Sequence, residues 1–355
     1  MEPATPEPRF AIAHLREGWY VACRSAELGK RPLARTLLDV PLVLFRGGDP
    51  GRPVALLDRC AHRNLPLSVG RMVGSRIECA YHGWQYDERG QCRLVPALAD
   101  EPDRRGRAVP VYPAVEQQGY VWVYGSAERE PHRPPFSFPF LGAPGYASIR
   151  FETTVEASVH ATIENMLDVP HTAFLHRGLF RNGRQNRIAA IVRRFADRAE
   201  AEYVGEPRPS GLIGRLLAPE GGTVVHFDRF LLPSIAQVEY RLGERSHLLI
   251  TSALTPVTDF VTRFVSVVSF RLPLPTLLVR LVLTPIAKRI FRQDAWILRL
   301  QTDSVRRFGG ERYISTEVDL LGPHVWRLMK DAATDGEPGE DRAAPAFEKR
   351  VELAV

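Results

Sequence analysis

Two short motifs, Cys60-Ala61-His62 and Cys79-Ala80-Tyr81-His82, constrain this chain more than any other feature. Each offers one thiol and one imidazole, and the sixteen residues Arg63 to Glu78 separate them. That spacing lets two neighbouring loops close on one inorganic centre with a two-Cys, two-His ligand set. The surrounding sequence supports loops between strands. Val40–Arg46, Val54–Asp58, Gly83–Tyr86, Cys92–Val95 and Tyr120–Tyr124 are apolar or alternating runs bounded by Gly, Pro and Asp. The Asp87–Gln91 loop carries Gly90 where a positive φ is wanted.

At 355 residues the chain exceeds the ~100–200 residues of a usual domain, so two domains are expected. The reading is a β-rich domain over residues 10–125, a Pro-rich linker over 126–145, an α+β domain over 146–345 and a C-terminal tail over 346–355. In the second domain Ile149–Val159 alternates like a strand, and His160–Leu175 shifts to helical spacing. Strands are expected at Arg187–Phe195, Gly222–Phe230, Ser234–Leu242, His247–Leu254 and Arg263–Phe270, with helices near Thr276–Phe308 and Pro323–Ala333. Thr334–Ala344, charged and rich in Gly and Pro, reads as a loose connection.

Composition removes several classes. Hydrophobic residues at 45% and charged residues at 25% exclude a mainly disordered chain. The formal charge of +6 invites nucleic-acid binding, yet the cations are scattered arginines, with lysine only at positions 30, 288, 330 and 349, so no nucleic-acid partner is expected. A modest basic patch could still dock an acidic protein. The most apolar stretch, Leu272–Ala287, is interrupted by Arg280, Pro273, Pro275 and Pro285, which argues against a transmembrane span. The acidic, Pro-rich Met1–Arg9 does not read as a signal peptide, and four cysteines are too few for a disulfide scaffold. A cytoplasmic protein with reduced thiols is expected, with Cys23 and Cys92 as buried structural thiols.

A two-Cys, two-His set serves either structural zinc or a Rieske 2Fe–2S cluster, in which two imidazoles replace two thiolates on one iron. Cys60-Ala-His62-Arg63, Cys79-Ala-Tyr81-His82-Gly83-Trp84 and Tyr86-Asp87-Glu88-Arg89-Gly90 favour the second use. Over Gly18–Pro96 they resemble the Rieske domain of bacterial ring-hydroxylating and demethylating oxygenases. The resemblance implies that Cys60 and Cys79 hold one iron, and His62 and His82 the other.

Further along, Glu164-Asn165-Met166-Leu167-Asp168-Val169-Pro170-His171 is followed by His176. Two histidines five apart in an ideal helix diverge by roughly 140°, so they share a ligand only if the helix ends or loosens, and Pro170 makes that break plausible. Spacing alone is weak here. The whole string, however, is similar to the mononuclear-iron motif of the same family, in which two imidazoles and one carboxylate hold Fe(II) and leave positions open for dioxygen and substrate. In that motif an acidic or amide residue, here Asn165, precedes Asp-x-x-His. The carboxylate comes from elsewhere. Asp294 is the choice, because Asp294, Ile297, Leu298 and Gln301 follow helical spacing and an acid on an apolar inner face needs a cation. The family also carries its third ligand on a late helix of this pattern. Asp303 is the main competitor, with Asp259 and Asp319 behind it. By resemblance, Asp168 bridges His171 to His82 of the partner subunit, which implies a homotrimer with electron transfer between chains.

The family reading therefore implies an α+β architecture in which an all-β Rieske domain precedes an antiparallel-sheet-plus-helices (helix-grip-like) catalytic domain. It implies a terminal oxygenase with a 2Fe–2S cluster and mononuclear Fe(II). Electrons come from NADH or NADPH through a separate reductase or ferredoxin, since no G-x-G-x-x-G context is present (Gly221-Gly222 lacks it). The mostly apolar Gly178–Arg292 region points to a small hydrophobic substrate, hydroxylated or demethylated with O2. Desaturation, oxidative cyclisation and cis-dihydroxylation stay open. So do an electron carrier with an inactive ligand-binding domain and a zinc-stapled hydrophobe binder. Leu272–Ile290 reads as a pocket wall, an entrance lid or a membrane-surface contact.

Overall fold

Alternating β-branched, aromatic and small side chains put more of the described residues into strands than into helices. The computed structural model describes residues 10–48, 51–96, 98–102, 106–176, 187–205, 224–243, 245–335 and 345–354. These divide into two units. One holds Leu15–Ser137 and Thr255–Thr258. The other holds the described residues up to His14, Phe138–Leu254 and those from Asp259 onward.

The first unit contains eleven strands: β1 (Trp19–Arg24), β2 (Leu33–Leu37), β3 (Val40–Gly47), β4 (Arg52–Leu57), β5 (Arg71–Val73), β6 (Arg76–Glu78), β7 (Gln85–Tyr86), β8 (Cys92–Leu94), β9 (Val111–Tyr112), β10 (Ala114–Gln117) and β11 (Tyr120–Tyr124). They form three sheets, β1-β11-β10, β2-β3-β4-β9 and β5-β6-β7-β8. β3 is buried on both faces, which explains its continuous apolar run: Leu42, Val43, Leu44 and Phe45 are fully buried. Val43, Phe45, Val54 and Leu56 pack in one cluster with Leu67, Ile77 and Tyr86, and this cluster also takes in Cys60 and Cys79. Each fully buried large side chain there contributes roughly 1.5–3 kcal/mol. The turn from β7 to β8 is held by Asp87, which accepts the Arg89 and Gln91 backbone amides and the Arg93 guanidinium. Gly90 there has φ +70° and lies so close to Val109 that any Cβ would strike its carbonyl, so the expected positive φ is present.

The second unit is built on an eight-stranded antiparallel sheet: β12 (Ala147–Val155), β13 (Arg187–Arg194), β14 (Arg198–Val204), β15 (Val224–Leu231), β16 (Ile235–Leu242), β17 (Ser246–Thr258), β18 (Val261–Arg271) and β19 (Phe347–Ala354). Its order is β12-β18-β17-β16-β15-β14-β13-β19. The helices are α1 (Val159–Leu167), α2 (Thr172–Leu175), α3 (Thr276–Arg307) and α4 (Gly322–Asp335). α1 packs over β15 and β16, and Ala157 and Ala161 receive Leu298 of α3.

Three expectations need correction. Residues 346–355 are not a tail: Phe347–Ala354 pairs along the whole of β13, from Arg187↔Ala354 to Arg194↔Phe347. The first strand of this unit stops at Val155, and Val159 already belongs to α1, whose start is capped by Ser158 accepting the Ala161 amide. Strands β1, β2, β5, β6, β9, β10 and β14 were not expected. Residues 177–186, 206–223 and 336–344 lie outside the described residues, and with them Gly178, Gly221-Gly222 and most of the expected loose connection.

Candidate metal centres

The Cys60 loop follows β4 and the Cys79 loop joins β6 to β7, and both close by the same hydrogen bonds. The amide four residues after each cysteine donates to the cysteine carbonyl: Asn64 to Cys60 and Gly83 to Cys79, both 3.0 Å. Each cysteine amide in turn donates to the carbonyl five residues on, Leu65 at 2.9 Å and Trp84 at 2.8 Å. Such a turn needs a left-handed residue at its fourth step, and Asn64 (φ 62°) and Gly83 (φ 70°) supply it. Local sequence alone thus shapes two matching cradles.

These cradles bring the four side chains together. Cys60 and Cys79 are buried, and the His62 and His82 ring centroids stand 4.4 Å apart. His62 is held flat against Trp84 at 4.8 Å, with the Arg107 guanidinium 5.9 Å above the indole. Burial first, and then the neighbouring Cys60 sulfur, push the Cys79 thiol up despite amides of Tyr81 and His82 directed at it. His62 Nδ1 is buried with no hydrogen-bond partner. Two facing sulfurs and an orphaned imidazole nitrogen are costly unless a cation takes their lone pairs, so the donor set fits a 2Fe–2S cluster. Cys23 and Cys92 are buried, and the Cys92 thiol lies 3.6 Å from the Leu94 carbonyl.

The second group assembles from distant parts of the chain. α1 ends at Leu167 and Asp168 is extended; Pro170 disfavours helix at Val169, so the helix does not run on to His171. His171 then opens the single turn α2, and His176 leaves it. The break therefore falls ahead of His171 and at His176, and both rings reach one point. Their Nε2 atoms are 3.3 Å apart, and Asp294 Oδ1 of α3 lies 3.1 Å from His176 Nε2 and 3.8 Å from His171 Nε2. Although close, Asp294 Oδ1 receives no aligned N–H and is buried without a hydrogen bond. Ligands at about 2.1 Å from one ion, set near right angles, stand roughly 3 Å apart, so a divalent cation fits this group.

Neighbouring side chains orient these ligands. Gln293 Oε1 lies 3.0 Å from His176 Nδ1, which turns Nε2 toward the centre. Burial opposes the charged form of His176, but Asp294 and Gln293 outweigh it and raise its pKa. Asp168 Oδ2 accepts the His171 amide at 3.1 Å and sits 3.3 Å from Nδ1 of that ring, without hydrogen-bond alignment. Gln293 was not anticipated from sequence; its place beside Asp294, with an amide able to accept from an imidazole, was the available signal. The half-buried Asn165 is on α1 but outside the metal-capable group. Among the competing acids, Asp303 is exposed, Asp259 pairs with His14 at 2.8 Å, and Asp319 accepts from Thr316. The inner face of α3 also differs from expectation. Leu298 is buried, whereas Ile297 is 36% exposed and Gln301 is exposed; Asp294, Leu298, Thr302 and Val305 form the inward stripe.

Beside α1 a recess is lined by Glu164, Asp168, Tyr203 and Asp319, among others. Glu164 is pushed up to about 7, first by burial and then by the charges of Asp168 and Asp319.

Comparison with known proteins accords with this geometry. Residues 18–113 match the Rieske [2Fe-2S] domain, and residues 155–335, about half of the chain, match the vanillate O-demethylase oxygenase C-terminal domain. The chain is 34% identical over 178 residues to the oxygenase component of dicamba O-demethylase from Stenotrophomonas maltophilia, covering 47% of this chain and 49% of that protein. It is 36% identical over 175 residues to the methylxanthine N1-demethylase NdmA of Pseudomonas putida, covering 46% and 48%. The aligned part thus spans about half the length of these curated relatives. A crystal structure of dicamba monooxygenase bound to dicamba superposes with a TM-score of 0.77 at 25% identity, over 91% of this chain and 98% of that one. The cysteine–histidine cradles, the sheet with its helices and both domain matches agree, and the chain belongs to the Rieske non-haem iron oxygenase family.

Proposed function

We propose that this protein is a terminal oxygenase that hydroxylates or demethylates a nonpolar small molecule with O2. The convergence of His171, His176 and Asp294, with a buried carboxylate oxygen that no donor satisfies, carries this reading. When bound, the 2Fe–2S cluster supplies single electrons and the mononuclear Fe(II) supplies dioxygen chemistry. Cys60, His62, Cys79 and His82 would hold the first, and His171, His176 and Asp294 the second. Gln293 keeps the His176 imidazole turned so that Nε2 faces the centre, and Asp168 accepts the His171 backbone amide. The electrons are assigned to NADH or NADPH through a separate reductase or ferredoxin, and the site of action to the cytoplasm. Among the described residues no helix is long and apolar enough to cross a membrane. Demethylation is supported by two relatives named as demethylases. Asp168, its side chain 30% exposed beside His171, is assigned to bridge toward His82 of the partner subunit within a homotrimer.

Iron and sulfide analysis tests the reading. The wild type should carry about three irons per chain, two in the cluster and one at the triad. Asp294→Ala should lose about one iron and all turnover while the cluster spectrum stays intact. Two irons in the wild type would reduce the chain to an electron carrier, and loss of iron from Asp303→Ala instead would move the third ligand.

A further inference from the structure

We infer that the outward face of α3 between Leu277 and Trp296 docks on an anionic lipid surface. The inward face of this helix is already satisfied. Val279 is fully buried, and Leu283, Ile286, Ala287 and Phe291 pack around Phe151, Leu242, Val268 and Phe270. The opposite side is apolar as well: Leu277 is 70% exposed, Leu281 65%, Leu278 46% and Trp296 58%. A helix apolar on both sides has a second apolar neighbour to find.

Rotation about the axis shows that leucines and cations share this face. At ~100° per residue, Leu281 lies roughly 40° from Leu277, Lys288 roughly 20° and Arg292 roughly 60°. Leu278, Arg289 and Trp296 flank that sector on one side and Arg280 on the other. From Phe260 to Gln293 the chain has six cations and no Asp or Glu. Four of the six, Arg280, Lys288, Arg289 and Arg292, are exposed on α3. Their hydrogen bonds go to backbone, from Arg280 to Ser148 and from Arg292 to Lys288, and among the described residues no acid pairs with them.

Charge complementarity selects the occupant. A second copy meeting this face with its own like face would set cations against cations, and a head-to-tail copy would be revealed by a fall in molar mass in the leucine variant. Leucines mixed with long cationic side chains suit a bilayer surface: the leucines enter the acyl boundary while the aliphatic stems of Lys and Arg extend to phosphate. The helix does not span. The inference is independent of the catalytic reading.

Cosedimentation of the metal-loaded full chain with vesicles tests it. Binding is expected to vesicles of phosphatidylcholine mixed with phosphatidylglycerol, not to phosphatidylcholine alone, and it should weaken as salt rises. Each neutralised cation should cost about fivefold in affinity, so the Lys288→Gln, Arg289→Gln, Arg292→Gln variant should bind on the order of a hundredfold more weakly. Leu277→Ser with Leu281→Ser should also release the protein, with iron content and cluster spectrum unchanged. Three results overturn the inference: no vesicle binding, equal binding to neutral vesicles, or no effect of either variant. A fall in molar mass by light scattering in the leucine variant, without vesicle binding by the wild type, would reassign the face to contact between copies.

Discussion

Tyr86 is placed to set how readily the cluster accepts an electron. It is fully buried, its hydroxyl lies 3.2 Å from Cys60 Sγ, and its oxygen accepts the Ala61 amide at 3.2 Å. With a metal-bound thiolate, only the tyrosine can donate across the contact to sulfur. A hydrogen bond to sulfur stabilises the more negative, reduced cluster. Tyr86→Phe should therefore lower the midpoint potential by some tens of millivolts, since 1.4 kcal/mol equals 59 mV for one electron. Redox titration followed by the cluster's spectrum checks this, and an unchanged or raised potential would refute it. Glu164 makes a different kind of prediction. Held at about 7 when folded, against 4.5 for its ordinary value, it keeps a proton that the unfolded chain releases. Stability should fall as pH rises from about 4.5 through 7, and Glu164→Gln, neutral at every pH, should escape that loss. After discounting for partial solvent access, the gain at pH 8 is roughly 1–3 kcal/mol, with none at pH 4, measured by urea melts. Site residues differed in how far sequence revealed them. The cysteine–histidine cradles close within five residues, so spacing exposed them; Gln293 meets His176 across 117 positions, and only its place beside Asp294 hinted at that contact.

Elements were readable where side-chain chemistry matched their period. The strand Tyr120–Tyr124 and the start of α3 at Thr276 fall where apolar runs and proline placed them. β14 escaped notice because its inward residues Ala199 and Ala201 alternate with Arg198, Glu200 and Glu202, a weak strand signal whose partner strands decide the outcome. β19 is similar: Glu348, Lys349 and Arg350 read as a solvated end until β13, distant in sequence, supplies the hydrogen bonds. On α3 the sequence placed Asp294 and Leu298 inward, but the stripe continues through Thr302 and Val305, not Ile297 and Gln301. The central sheet carries its own pH dependence. Glu239 on β16 takes hydrogen bonds from Arg229 of β15 (2.6 Å), Arg241 (2.7 Å) and His247 of β17 (2.9 Å), and His247 reaches Tyr146 at 2.6 Å. Burial opposes its charge, but these donors prevail and hold the carboxyl at about 2. Its folded pKa lies below the unfolded one, so its contribution is full above about 4.5 and is lost as pH falls toward 2. Glu239→Gln should flatten the acid limb of a melting-temperature profile between pH 6 and 3 and cost on the order of 2–3 kcal/mol at pH 7. Equal acid sensitivity in both proteins would show that other carboxylates govern it.

At the scale of the whole molecule, each unit carries one candidate centre, and the proposed turnover needs an electron to pass from the first to the second. Asp168 backs His171 through its amide while its side chain stays 30% exposed. A partner imidazole docking there would make the working unit the cluster of one chain and the triad of the next, a head-to-tail arrangement that closes into a ring. Mixing two inactive variants separates this from transfer within a chain. His82→Ala removes a cluster ligand on an exposed loop, and Asp294→Ala removes a triad ligand. Each homogeneous variant should be inactive in either arrangement. Unfolded, mixed equally and reassembled with iron and sulfide, random rings join an intact cluster to an intact triad in about one quarter of neighbouring pairs. Activity near one quarter of the wild type is therefore expected if the electron crosses between chains. Transfer within a chain gives none, because every chain lacks one of its two centres. Light scattering on the same mixture should report about three chains per particle. Recovered activity in a monomeric fraction, or none in a trimeric one, would remove Asp168 from the electron path.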